Sequence, residues 1–148
     1  MDDTDKRLLN RIQSDFPITL RPFQDIGLDL GLSENEVIQR LRDLKKKGII
    51  RRIGGNFFPD KLGFVSTLCA ASVPEHKIDF FTQVVNAFPG VTHNYQRDHH
   101  YNIWFTFIAP SRQEIEHHLN FISEQTGITE ILNLYAKKLF KINAHFSL

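Results

Sequence analysis

The hydrophobic period of this chain changes partway along it, and few folds accommodate the change. Up to Gly48 apolar residues recur at helical spacing; beyond Phe64 short extended runs alternate with helical ones. The first pattern buries itself by packing helices together, whereas the second needs a sheet with helices laid against it.

In the first part, Thr4 is placed to cap a helix in which Leu8, Leu9, Ile12 and Phe16 share a face, and Pro17 marks its end. A short amphipathic helix over 23–30 follows Pro22, carries Ile26 and Leu30, and stops at Gly31. Ser33 and Glu36, three apart, spell a capping box that opens a third helix, with Val37, Leu41 and Leu44 on one face and Gly48 at its end. Two short helices meeting at 31–33 predict a helix-turn-helix. The stretch 49–58, divided by Gly54 and Gly55, predicts a hairpin wing, and Pro59 and Asp60 begin a linker.

In the second part, 64–73 predicts a strand ending at Pro74, and 77–88 an amphipathic helix bearing Phe80, Phe81, Val84, Val85 and Phe88. After the turn at Pro89 and Gly90, 91–97 and 101–109 read as extended segments facing each other across Asp98, His99 and His100. Ser111 caps a helix through Ile115, Leu119 and Ile122 to Gly127, and 131–140 returns as a strand. The order βαββαβ is the ferredoxin-like plan, a four-stranded antiparallel sheet with two helices on one face. The fold class is therefore α+β, with a winged helix-turn-helix over 1–58 and a ferredoxin-like domain over 59–148.

A chain of 148 residues gives each of two such domains only a modest core. The uncovered face of the sheet calls for a partner, so we expect a dimer through the sheets with pockets along the seam. The net charge of +1 argues against a global polyanion binder, so function must sit in local patches. The lone Cys69 excludes an internal disulfide and any cluster needing several thiolates from this chain, and fits a cytoplasmic setting. The opening Met1, Asp2, Asp3 is too acidic for a signal peptide, and no apolar run approaches the ~20 residues of a membrane span. We therefore expect no membrane association.

Arg40, Arg42, Lys45, Lys46, Lys47, Arg51 and Arg52, opposed only by Asp43, form a basic cluster suited to phosphates. Base edges, however, are read from the first turns of a recognition helix, and here those turns carry Glu34 and Glu36. We read the module as a solvated or subunit-packing surface rather than an operator reader. Arg40, Lys45, Arg51 and Arg52 are the DNA contacts should that reading fail.

The chemistry-bearing segment is 93–106, where three imidazoles, an arginine, two phenols and an indole lie close in sequence. Strand alternation puts His93, Tyr95 and Arg97 on one side, while Ile103, Phe105 and Phe107 line one side of the returning strand. Imidazole ligates iron, arginine forks onto carboxylates, and rings pack on a tetrapyrrole face. Trp104, Phe105 and Phe107 also read as ordinary core, whereas Arg97 and His99 read as functional. His117 and His118 cannot share one helical face, and with His76 and His145 they read as surface residues.

Four stretches carry a family resemblance: 5–17, the run Arg21, Pro22, Phe23, the basic segment 44–55, and above all 93–106. Together they resemble the siroheme decarboxylase subunits, which share their architecture with the Lrp/AsnC regulators. The resemblance covers essentially the whole chain. It implies an AsnC-type second domain for ligand binding and dimerisation, and removal of carbon dioxide from the C12 and C18 acetates of siroheme to give didecarboxysiroheme, in an alternative route to haem or d1 haem. It also implies a homologous second subunit and no cofactor beyond the iron tetrapyrrole substrate.

On that basis the candidate catalytic residues are His99, Arg97 and Tyr95, and the candidate substrate contacts are His93, Arg97, His100, Tyr101 and Trp104. Either His99 or His93 ligates the siroheme iron; His100 points away from His99 if the chain is extended. The main rival is an Lrp/AsnC-type regulator, responsive to an amino acid or to haem. A siroheme-containing reductase would need several cysteines, and a metal hydrolase would need ligands at defined helical spacing.

Overall fold

The computed structural model describes residues 1–55, 57–141 and 146–148, the side chain of Ser14 excepted. The chain divides into two compact units, Met1–Gly55 with Lys141–Leu148, and Asn56–Phe140. Among the described residues no helix is long and apolar enough to cross a membrane.

The first unit holds α1 (Asp3–Ser14), α2 (Pro22–Leu30) and α3 (Glu34–Lys46). Leu8, Ile26, Val37, Leu41, Leu44 and Ile50 bury its core. The cap of α1 is Asp2, not Thr4: Asp2 accepts from the Asp5 N–H at 2.7 Å and the Asp5 carboxylate accepts from the Asp2 N–H at 3.2 Å. Two carboxylates at this spacing satisfy two orphan donors reciprocally, which Thr4 inside the first turn does not. Gly31, at φ 72°, ends α2 in the left-handed region. Ser33 caps α3 at the Glu36 N–H, but the Glu36 carboxylate is turned to Arg40 instead of closing the box.

The hairpin expected over 49–58 is not formed as paired strands among the described residues. Ile50 is drawn into the helical core instead, and a two-stranded ribbon without a third partner is marginal. Residues 146–148 belong to this unit. Gln13 and Asn10 on α1 each pair by side-chain amide with the backbone N–H and C=O of Phe146 and Leu148 respectively.

The second unit runs β1 (Val65–Ala71), α4 (Ile78–Asn86), β2 (Val91–Gln96), β3 (Ile103–Ala109), α5 (Arg112–Thr126) and β4 (Ile131–Leu134), with 3-10 turns at Pro59–Leu62 and Glu75–Lys77. The strand order β2-β3-β1-β4, antiparallel throughout, is the expected plan. Strand β4 is shorter than the 131–140 predicted. Phe81 and Val85 from α4 and Ile115, Leu119 and Ile122 from α5 pack on Cys69, Ile103, Phe105 and Phe107. Phe80 does not join them and is half exposed. Gly90 is required where it stands, because a Cβ there would collide with the Ile108 carbonyl.

Candidate functional site

The β2–β3 ladder sets the geometry of the site. Tyr95 faces Trp104 and His93 faces Thr106, after an irregularity between Val91 and His93. Because successive residues of a strand alternate sides, Ile103, Phe105 and Phe107 enter the core while Trp104 and Thr106 stand on the opposite face. Trp104 therefore departs from the core reading it shared with its two phenylalanine neighbours. With Leu68, His93, Tyr95, Arg97 and Thr106 it lines a hollow of about 410 Å³ on the sheet face that bears no helix. The rings of His93 and Tyr95 lie nearly parallel, 6.1 Å apart.

Arg97 also borders two neighbouring hollows, one of about 490 Å³ shared with Asp98, His99 and Asn102, the other of about 610 Å³ shared with Asp98, His99 and Trp104. One residue thus borders all three concavities. The turn that carries it is held from within. The Arg97 N–H donates to the Asn102 carbonyl at 2.7 Å, the His99 N–H to the Arg97 carbonyl at 3.1 Å, and Trp104 Nε1 to the Tyr101 carbonyl at 2.6 Å.

His99 and His93 have different hydrogen-bond partners. Nδ1 of His99 accepts from the Tyr101 N–H at 3.1 Å, which leaves its ring proton on Nε2 when the imidazole is neutral. Nδ1 of His93 lies 3.0 Å from the Thr92 hydroxyl, which can donate or accept; when it accepts, Nε2 of His93 carries the lone pair.

His100 and Tyr101 belong to another cluster. His100 Nε2 is 2.7 Å from Glu130 Oε1, and Tyr101 bonds the same carboxylate. His100 holds the Glu130 carboxyl below the usual carboxylate range, with Tyr101 and Ser72 assisting and burial opposing. Burial and then Glu130 push the Tyr101 phenol up. The structure thus gathers His93, Tyr95, Arg97 and Trp104, sets His99 beside them, and sends His100 and Tyr101 to Glu130. Sequence reasoning missed Glu130, which stands in no motif, and gave Asn102 no role although it lies within the 93–106 run.

The basic cluster of the first unit is partly spent. Arg40 Nη1 bonds Asp2 at 2.8 Å and Asp5 at 2.9 Å, while its Nε bonds Glu36 at 3.2 Å. These carboxylates, Asp2 foremost, hold its guanidinium still more firmly protonated. Glu34 pairs with Arg21. Lys45, Arg51 and Arg52 are exposed. Elsewhere, His76 and His117 are exposed as expected, but His118 is not a surface ring. It stacks on Phe107 at 5.4 Å and against Phe88 at 4.9 Å. His145 lies outside the described residues.

With this geometry in place, comparison with known proteins is specific. Residues 61–141 match the AsnC-like ligand binding domain, and residues 5–51 match the siroheme decarboxylase NirDL-like HTH domain. The siroheme decarboxylase alpha subunit of Desulfovibrio desulfuricans is 57% identical over 99% of this chain and 84% of its own length. That of Oleidesulfovibrio alaskensis is 52% identical over 100% and 90%. The crystal structure of the siroheme decarboxylase NirDL in co-complex with an iron-uroporphyrin III analogue superposes with a TM-score of 0.72 at 30% identity over 97% of this chain. This chain spans 48% of that longer NirDL chain. The Mycobacterium tuberculosis leucine response regulatory protein, at TM-score 0.81 and 17% identity over 100% of both chains, shares the fold. Helix-turn-helix, ferredoxin-like sheet and the 93–106 hairpin thus point one way: the chain belongs to the siroheme decarboxylase subunit family.

Proposed function

We propose that this chain is a subunit of an enzyme that removes carbon dioxide from the C12 and C18 acetate side chains of siroheme, giving 12,18-didecarboxysiroheme. One observation carries the reading: Arg97 sits where three concavities meet, beside His93, Tyr95, His99 and Trp104. A flat macrocycle fringed with carboxylates needs aromatic surface, a forked cation and imidazole in one place, and this is where the chain supplies them.

Each decarboxylation breaks one carbon–carbon bond. The electron pair stays on the former acetate carbon, carbon dioxide leaves, and a proton delivered to that carbon completes a methyl group. The step is redox-neutral, so it calls for no cofactor beyond the substrate. What the protein must do is hold the carboxylate, exclude competing positions and return the proton.

Arg97 binds a carboxylate of the substrate, and Tyr95 and Trp104 supply the surface on which the ring rests. We take His99 as the residue at the reacting acetate; in support, its Nδ1 accepts from the Tyr101 N–H, which puts the ring proton of the neutral imidazole on Nε2. The acid is the imidazolium: His99 takes a proton from solvent at Nδ1, giving up the Tyr101 contact, and passes its Nε2 proton to the former acetate carbon. His93, with Nδ1 engaged by Thr92, is the residue we assign to the siroheme iron. His100 and Tyr101 act from the Glu130 cluster at the margin.

The sheet face around this site exposes Leu68, Tyr95 and Leu134, with Leu68 and Leu134 directly paired. We assign a homologous subunit to that face. Relatives named as alpha, NirD and NirG subunits support an assembly of homologous parts. The regulator reading loses ground because Arg40 is committed to carboxylates.

The test is anaerobic incubation of the chain with siroheme, alone and with a homologous subunit, followed by mass analysis. Loss of two carbon dioxide units is the expected result. Full turnover by an assembly carrying both Arg97→Ala and His99→Ala would remove these residues from the reaction. Tight, salt-sensitive operator binding without siroheme turnover would return the chain to regulation.

A further inference from the structure

The turn that presents Arg97 and His99 is solvent-exposed, and exposed turns of long polar side chains do not stay in one place by themselves. Something must tie this one to the rigid part of the fold. Its internal bonds fix its shape but not its position, since the donors and acceptors among Arg97, His99, Tyr101 and Trp104 all lie in or beside the turn.

The tie is Asn102. Its Oδ1 accepts from the Val73 N–H at 2.9 Å, and its Nδ2 donates to the Val73 carbonyl at 2.7 Å. A side-chain amide thereby forms the two-bond ring that a neighbouring strand would form, at a point just beyond the end of β1. Val73 is buried, 4% exposed, and its side chain is part of the core. Through its backbone carbonyl the same Asn102 receives the Arg97 N–H at 2.7 Å. One residue thus couples Arg97 to the buried segment that follows β1 in two steps. The next segment along reinforces it, because the Ser72 N–H donates to the Glu130 carbonyl at 3.1 Å while Glu130 holds His100.

We infer that Asn102 is a positioning residue for the decarboxylation: its carboxamide clip on Val73 sets where Arg97 and His99 meet the reacting acetate. The inference rests on the assignment of Arg97 and His99 made above. Asparagine suits the task because the site needs one donor and one acceptor at fixed spacing. Leucine would fill the space but bond neither group, and aspartate would set a charged oxygen against the Val73 carbonyl. A misplacement of about 1 Å is enough to cost on the order of 100-fold in rate while leaving binding almost intact.

The experiment compares Asn102→Ala, Asn102→Asp, Arg97→Ala and His99→Ala in the assembled enzyme, with melting to confirm folding and optical titration of siroheme to measure binding. We expect Asn102→Ala to lower kcat by about 10- to 100-fold with siroheme affinity changed by less than about threefold. Amide hydrogen exchange should rise at His99 and Tyr101 and not in the core strands. Asn102→Asp provides a signature that simple loss of stability would not give. Once protonated, the introduced carboxyl can again donate to the Val73 carbonyl, so kcat relative to wild type should recover as pH falls.

A kcat within twofold of wild type for Asn102→Ala, while Arg97→Ala and His99→Ala are inactive, overturns this inference and leaves the site assignment standing. Wild-type turnover by Arg97→Ala and His99→Ala overturns the assignment itself. An Asn102→Asp variant whose relative kcat is flat with pH overturns the two-bond clip as the cause.

Discussion

His100 Nε2 lies 2.7 Å from Glu130 Oε1, a hydrogen-bonding contact that joins the tip of the β2–β3 hairpin to the residue just before β4 across thirty positions of sequence. The Glu130 carboxyl titrates below its ordinary range, chiefly because of His100. A depressed carboxylate contributes stability that is complete above the unfolded-state pKa and lost as pH falls through the folded one. Melting temperature should therefore decline on the acid side of the carboxylate range, and Glu130→Gln should flatten that decline. Parallel acid limbs for the two proteins in a pH series of thermal melts would show that Glu130 is not the group responsible.

Arg97→Ala should weaken siroheme binding by about 10- to 100-fold, the usual scale for losing a hydrogen-bonded charge on a carboxylate. Arg97→Lys should recover only part of this, because an ammonium is a point charge without the planar fork. Equilibrium optical titration checks both, and equal affinities for the three proteins would place the guanidinium away from the substrate.

Arg40→Ala should leave any residual affinity for duplex DNA unchanged, since its guanidinium is occupied by Asp2, Asp5 and Glu36. Removing Arg51 and Arg52 together should instead reduce the dependence of binding on salt, by about one unit of log–log slope for each phosphate no longer neutralised. Titrations at several salt concentrations separate the two cases.

Cys69 is fully buried, and burial pushes its thiol up to about 12. Since the thiolate is the reactive form, a thiol reagent at neutral pH should label the folded protein only at the rate of unfolding. Labelling that is fast in buffer and unchanged by denaturant would contradict this placement.

Phe105→Ala should destabilise the protein by about 3–5 kcal/mol, because the ring is buried against Phe81 and leaves a cavity when removed. Trp104→Ala, one residue away, should cost less stability and more turnover. Denaturant melts set beside siroheme assays give the comparison, and equal losses of stability would dissolve the distinction between the two sides of β3.

Features that depend on neighbours in sequence were legible without coordinates. Gly31, Ser33, Ser111 and Gly127 mark helix ends by local chemistry, and the βαββαβ order followed from the alternation of extended and helical runs beyond Phe64. Where two local solutions compete, sequence alone chose wrongly: Asp2 outbids Thr4 only because Asp5 returns the bond. Paired strands are absent over 49–58 among the described residues, because pairing needs a partner that periodicity does not specify. The parity of β3 was present in the sequence and should have separated Trp104 from Phe105. The contacts of Glu130 and Asn102 reach thirty and twenty-nine residues away, so sequence offered no signal for Glu130 and, for Asn102, only its place within 93–106.

The alternation along β3 has an evolutionary corollary. Because Ile103, Phe105 and Phe107 are committed to the interior while Trp104 and Thr106 are not, the chain keeps its architectural and its chemical vocabularies on opposite sides of one strand. Selection can rewrite the second without disturbing the first, so a single scaffold can trade one ligand for another by editing every other letter.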